Sequence, residues 1–553
     1  MNETTDPTPP VENKTGGRLM ALCGCGVVAI IAIVYLLTLS HGVFPGQSAA
    51  LIATYTGLEP ATLPRHPIWG ACVKAIGDIG MDGMALRLNL FSLIISVACA
   101  WLFYSLFTKA MLRLIDKVKV PADRAARAAT AGGVVATLAL AFSVPCWIAS
   151  TRLHYQIFDL LLLLCLAHLL FLYIRTKALA IMMLSALLFG VAVVECVNIG
   201  LFLPLFAFYA MQAWLRDDDF RSYRVFLAIL FGLAGASFIL LVAHGFFLSE
   251  DAALRDYTSY WIVVRDMLRE SYDSLRAAIP NVGWLFVVVF VVVPFLASLA
   301  IAPRALSETR DWSFTFFHIA LTAVVIATLT NTPISRWGLE LHAPTGALPV
   351  FLYALTAMVA GYVVVYWYLI VANRSYVPEQ LTGLPNIRAG IWSAHAFGWL
   401  SVAIVLFASV INGFEASGRR GVFADECARL LLENLKDRPW LITDGMFDNH
   451  LRLEAARNGQ PLKLIALQHN DNPVYLRQLK RVIETDPEFD GLDRIRLQNS
   501  ADLGALTFVQ DWIESDSNVV DRIAVMSAPD ILVGAGCTIV PNYFCFYGVR
   551  DLI

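Results

Sequence analysis

Charge is what this 553-residue chain has least of: 15% of its residues are Asp, Glu, Lys or Arg, against 58% hydrophobic ones. With a mean hydropathy of +0.63, that balance excludes a soluble globular protein and defines an integral, polytopic membrane protein. The formal net charge of −3 carries no basic excess, so no nucleic-acid partner is expected. Also missing are a P-loop, a GxSxG elbow, a dinucleotide fingerprint and any Cys/His set at metal-ligand spacing. No pair of broken spans recurs in corresponding halves, so a transporter is not signalled. No small-residue cleavage site follows the first apolar run, which therefore reads as an anchor.

Apolar runs of spanning length lie near 19–39, 88–108, 129–149, 155–174, 178–196, 197–215, 223–244, 282–302, 313–331, 346–371 and 390–412, about eleven helices by the ~20-residue criterion. Residues 1–17, polar and rich in Thr and Pro, read as a disordered amino terminus. Lys14 and Arg18 precede the first span, and Lys109, Arg113, Lys117, Lys119, Arg124 and Arg127 follow the second. Arg175 and Lys177, then Arg216, Arg221 and Arg224, then Arg304 and Arg310, then Arg374 and Arg388 fall in alternate loops. This positive-inside pattern puts the amino terminus in the cytoplasm, and an odd span count puts the carboxyl tail outside. The expected organisation is a cytoplasmic 1–17, a transmembrane domain over 18–412 with a first outer loop 41–87, and an extracytoplasmic α/β domain over 413–553.

Four pieces then share the outer face: the loop from His41 to Arg87, the charged stretch from Ser249 to Pro280, the loop from Asn331 to Thr345, and the tail. The first is far longer than a turn and carries Pro45, Pro60, Pro64 and Pro67 among charged and aromatic residues. In the second, Leu254, Tyr257, Trp261, Val264, Met267 and Leu268 recur at helical spacing. That pattern suits an amphipathic helix on a membrane surface or a solvated connecting helix.

In the tail, Trp440–Thr443, Leu462–Leu467 and Arg522–Ser527 read as strands, and His450–Asn458, Pro473–Glu484 and Leu503–Glu514 as helices, giving a small α/β layer. Asp444 and Asp448 follow the first strand, where ligands of such sheets tend to sit. They could bind a cation or sugar hydroxyls, or cap the next helix. The ten cysteines do not form a framework. Cys23, Cys25, Cys99 and Cys165 sit inside spans as packing residues. Outside, Cys537 and Cys545 are the pair an oxidising compartment would permit, leaving Cys427 free.

Several segments, taken in order, resemble the DUF2723 family, relatives of protein O-mannosyltransferase-like proteins with the GT-C glycosyltransferase architecture. They are GVFPGQSAALIATYTG, PRHPIWGACVKAI, MALRLNLFS, AFSVPCWIASTRLHYQIFDLLLLL, LLFGVAVVECVNIGLFLPLFAFY and WLITDGMFDNHLRLEAARNGQPLKLIAL, covering most of 20–215 and 440–468. The resemblance implies a GT-C-like helical fold with a small carboxyl-terminal α/β domain, in a bacterial inner membrane. It also implies transfer of a sugar from a polyprenyl-phosphate-linked donor to a protein, glycan or lipid acceptor on the outer face. A carboxylate would orient or deprotonate the acceptor, cations would hold the phosphate, and a divalent metal could assist.

The chain departs from the family at its polar positions. The acid after GVFPG is Gln47, which forms hydrogen bonds but cannot act as a base. Leu153-His154-Tyr155 replaces the family's Glu-Val-Tyr, and Glu195-Cys196 its Asn-His. Two readings follow. In one, catalysis is rebuilt from Glu59, Asp78, Asp82 or Glu195, with Gln47, Arg65, His66, Trp69, Arg152, His154, Arg336 and His342 as substrate-binding candidates. The arginines are best suited to phosphate through their bidentate fork. Against this, Asp78 and Asp82 can simply end a loop helix, and Arg87 can anchor the second span. In the other reading the protein is an inactive relative that binds lipid-linked glycan or scaffolds an envelope complex.

Overall fold

A chain this apolar must satisfy its backbone groups internally, and helices do so within a single segment. The computed structural model describes residues 14–59, 63–116, 120–215, 222–255, 257–277, 287–307, 312–329, 350–374, 385–435 and 438–550. Among these, eight helices are long and apolar enough to cross a membrane, and the pair Ala122–Ala141 and Val144–Thr151, bent by 67°, makes a ninth. Two shorter apolar helices, Leu179–Glu195 and Ser313–Thr328, occupy the remaining apolar runs. The fold is thus a many-spanning α-helical one with a small α/β layer near the carboxyl end. The bend follows from Ser143 and Pro145: the proline suits the first turn of a new helix but not the interior of a continuing one.

One compact unit comprises Met1–Leu39, Leu90–Ala236 and Ser271–Ser417. Its centre is the helix Val350–Arg374, of which 89% of the most apolar window is buried. It packs on Ala122–Ala141 through glycines: a Cβ at Gly361 would stand 2.6 Å from the Gly132 carbonyl oxygen. Small residues at the crossing let two backbones meet where lipid supplies no hydrophobic drive. Polar ties also join its helices. Tyr35 donates to the Ala141 carbonyl at 2.6 Å, Trp147 Nε1 to Thr38 Oγ1 at 2.9 Å, and Asn412 Nδ2 to the Phe142 carbonyl at 2.8 Å.

The second unit comprises Ser40–Asn89, Ser237–Glu270 and Gly418–Ile553. Its sheet runs in the order β2-β1-β3-β5-β4, with β1 Trp440–Thr443, β2 Lys463–Ala466, β3 Ile523–Val525, β4 Thr538–Asn542 and β5 Cys545–Val549. β1 pairs in parallel with β2 and β3, while β5 is antiparallel to β3 and β4. Period-two alternation divides the core. Trp440, Ile442, Ile523 and Val525 face a cluster with Leu479, Phe489, Phe508 and Trp512. Leu441 and Ala524 face the opposite cluster with Leu431, Leu435 and Leu451. Cys537 belongs to the first cluster and Cys545 to the second, so the sheet separates them and both are free thiols.

In the same unit the stretch between the first two spans folds into helices Gln47–Tyr55 and Pro67–Gly77. The charged stretch forms Glu250–Leu254 and Tyr260–Ala277. Val263, Val264 and Met267 bury against Phe246 and Leu63, while Trp261 and Leu268 remain exposed.

Candidate functional site

The first unit buries ionisable groups where three helices end. Arg152 closes Val144–Thr151, Asp159 lies in the first turn of Gln156–Thr176, and Glu195 ends Leu179–Glu195. Arg152, His154, Asp159 and Glu195 are all buried, Glu195 completely. Asp159 reaches the thiol of Cys196, the residue after Glu195, and Arg152 Nη2 donates to the Ala416 carbonyl at 3.4 Å. Of the sequence candidates, Arg152, His154 and Glu195 therefore sit in the low-dielectric interior. Arg336 and His342 lie outside the described residues.

The second unit holds the loop candidates, and most are engaged in structure. Tyr55 meets Trp69 edge to face with ring centroids 5.1 Å apart, and His66 lies 6.4 Å from Trp69. Gln47, half-buried, opens its helix. Arg65 is paired with Glu270, its Nε donating at 2.8 Å. Asp78 is exposed at the end of Pro67–Gly77, and Asp82 is exposed beyond it. Arg87 donates to the Asp82 carbonyl at 2.5 Å and also to the Gly80 carbonyl. Asp78, Asp82 and Arg87 thus finish and tie down the loop.

Glu59 is ion-paired with Arg452, both about three-quarters or more buried (side chains 25% and 20% exposed). Nearby, Thr443 Oγ1 donates to Asp448 Oδ1 at 2.6 Å. Burial pushes the Asp448 carboxyl up and Glu59 adds to that, while the Thr443 hydrogen bond and Arg452 oppose it. Asp448 does not cap its helix: it is the first residue of Asp448–Asn458, with no side-chain capping bond. Asp444 accepts instead from the Met446 amide at 3.0 Å, shaping the turn after β1. Among the described residues no three His, Cys, Asp or Glu side chains are grouped to hold a metal. Arg452 already answers the Glu59 carboxylate, so these acids do not suit a divalent ion.

A second arrangement gave no signal in the sequence. Asp425, in the first turn of Val422–Leu435, accepts the Val43 amide on Oδ2 at 2.9 Å and meets His450 Nδ1 with Oδ1 at 3.2 Å. Only glycine at position 42 allows this, since a Cβ there would stand 1.8 Å from Asp425 Oδ2. Beside the pair lies a cleft of about 140 Å³ lined by His41–Val43, part of Met81–Ala85, and one face of Asp448–Asn458 carrying His450, Leu453, Glu454 and Arg457. The i, i+3, i+4, i+7 spacing of those four was legible; what they face was not.

No family model matches the chain, and no curated protein matches it. Among solved structures the chain is similar to ArnT from Cupriavidus metallidurans in the apo state. The likeness covers 95% of this chain and 97% of that one, at 13% identity and a TM-score of 0.47.

Proposed function

We propose that the chain is a membrane glycosyltransferase of the GT-C type, moving a sugar from a polyprenyl-phosphate-linked donor to a protein or glycan acceptor. The observation that supports this is the burial of Arg152, His154, Asp159 and Glu195, each near a helix end in an otherwise apolar bundle. Ionisable groups there cost enough free energy that a functional role is the default explanation. The ordered motifs that resemble the DUF2723 family support the same class.

In this reading the Glu195 carboxylate takes the acceptor hydroxyl proton as the acceptor oxygen bonds to the sugar's anomeric carbon. The bond from that carbon to the phosphate oxygen breaks, and the lipid phosphate leaves with its charge met by the Arg152 fork and by His154. Membrane lipid is the surrounding partner, the amino terminus is cytoplasmic, and the reaction faces outward from a bacterial inner membrane. Asp78 and Asp82 take no part.

A non-catalytic role, binding lipid-linked glycan or scaffolding an envelope complex, is favoured by Gln47 at the expected acid and by the engagement of Glu59 with Arg452. Purified protein offered a panel of polyprenyl-phosphate sugars decides between them. Release of polyprenyl phosphate that Glu195→Gln and Arg152→Lys each abolish supports transfer. Silence from the natural protein, with activity on Gln47→Asp, marks an inactive relative.

A further inference from the structure

We propose that the carboxyl ends of helices Met84–Ile115 and Gln156–Thr176 form a binding site for the phosphate of an anionic glycerophospholipid, held between the Arg113 and Arg175 guanidiniums with Lys109 at its edge. This does not rest on the transfer reading, because the groups lie at the end of Gln156–Thr176 remote from Asp159 and no turnover is required.

Two helical stripes meet there. Lys109 and Arg113 stand at i and i+4 on one helix, and His168, Phe171 and Arg175 at i, i+3 and i+7 on the other, so each set shares a face. The stripes touch: Arg113 Cζ lies 3.9 Å from the Phe171 ring centroid, and the Lys109 charge acts on His168. Arg175 stands one turn beyond Phe171, which makes the two guanidiniums neighbours, and Arg113 is repelled by Arg175. No acid on either stripe relieves that repulsion. Met84–Ile115 contains none, and Asp159, the acid of Gln156–Thr176, is about 24 Å away along the helix axis. Among the described residues, Lys109, Arg113 and Arg175 form no ion pair with a carboxylate. Like charges brought together without a counter-charge are costly unless an anion joins them.

Depth and chemistry select the occupant. The apolar runs 88–108 and 155–174 stop one residue before Lys109 and Arg175, which sets these cations at the level of lipid headgroups. Positive-inside placement asks only that cations flank a span, and a lone cation there snorkels into water. It does not ask two guanidiniums to converge beside one aromatic ring. The planar fork of arginine matches phosphate oxygens in pairs, and the Phe171 ring holds the Arg113 plane in place. Lys109 and Arg175 are exposed and Arg113 is half-buried, so a lipid of the surrounding leaflet can reach all three. A zwitterionic lipid would add a fourth cation to them, whereas an anionic one brings only the charge they lack.

The test uses the full chain in detergent, with native mass spectrometry counting bound phosphatidylglycerol against phosphatidylcholine and with inorganic phosphate as competitor. Preferential binding of phosphatidylglycerol is expected, undisturbed by millimolar phosphate, which lacks the acyl chains. Arg113→Gln and Arg175→Gln should each weaken it about fivefold, and the double variant roughly 30-fold. Removing the same charge from two other loops, with Arg127→Gln and Arg304→Gln together, should change it less than about twofold by the same reckoning. A phosphatidylglycerol with a photoreactive headgroup should label peptides 107–116 and 168–177 of the natural protein, a readout that stands even if the variants fail to fold. Equal binding of the two lipids, displacement by phosphate, an equal loss in the control pair, or labelling confined to other peptides would each overturn the assignment. None of these bears on turnover at Glu195, so the two readings fail separately.

Discussion

Replacing Arg452 by Gln tests the electrostatics of the second unit most directly. Arg452 pairs with Glu59 and also opposes the rise in the Asp448 carboxyl, so one cation serves two acids. Two unit charges in contact attract by about 4 kcal/mol at an effective dielectric of 20. Desolvation and the residual exposure of the pair bring its net worth down to about 1 kcal/mol. Losing the arginine costs more than that, about 2 kcal/mol, because two carboxylates are then left together without a cation. Losing Glu59 costs about 1 kcal/mol, since Arg452 still has Asp448. Hydrogen exchange of peptides spanning 47–59 and 448–458 reads the difference locally. Arg452→Gln should speed exchange there roughly 30-fold, and Glu59→Gln roughly fivefold. The double variant should resemble Glu59→Gln more than the sum of the two. Equal single effects that add in the double variant would refute the shared-cation argument.

Asp448→Asn should stabilise the second unit at neutral pH. The folded pKa of this carboxyl lies above its unfolded value, so its ionisation disfavours the fold; the penalty is absent below the unfolded pKa and complete above the folded one. Melting measured against pH should show the natural protein losing ground to the variant as pH rises through that window. Asn472→Ala removes a cap whose side chain accepts from the Val474 and Tyr475 amides, and should cost about 1 kcal/mol in urea unfolding of the unit. Asn89→Val strips the donor that satisfies the Ser40 and Gly42 carbonyls at 2.9 and 3.2 Å. A loss of about 2 kcal/mol is expected, seen as faster exchange at Gly42 and Val43. Arg65→Ala should shift melting little, about 0.5 kcal/mol or less, because that arginine is 58% exposed.

Length and hydropathy made the spanning helices legible, because about twenty apolar residues in a row have few alternatives. In the carboxyl domain the strands β1, β2 and β3 stood out through bounded apolar runs, as did the helices over Asp448–Asn458, Pro473–Thr485 and Ala505–Ser515. The hairpin of β4 and β5 did not: its turn is Tyr543-Phe544, with Tyr543 at φ +51° and no Asn-Gly signal. The candidate acids were legible as residue types but not as roles. Asp78, Asp82, Glu59 and Glu195 look alike in sequence, yet two are exposed, one is ion-paired and one is fully buried. Asp425 and His450 escaped notice for a related reason. An aspartate in the first turn of a helix is ordinary dipole chemistry, and nothing local says that its carboxylate receives an amide 382 residues away.

That separation has a consequence in time. The His41–Val43 segment leaves the ribosome long before Asp425 exists, and at ordinary synthesis rates the wait is roughly 20–80 s. During it the Val43 amide and the Glu59 carboxylate must be satisfied by water or by another protein. The first loop is therefore a natural client for a chaperone on its side of the membrane. A chain truncated before position 425 should be degraded as an orphaned loop, even with most of its apolar helices already made.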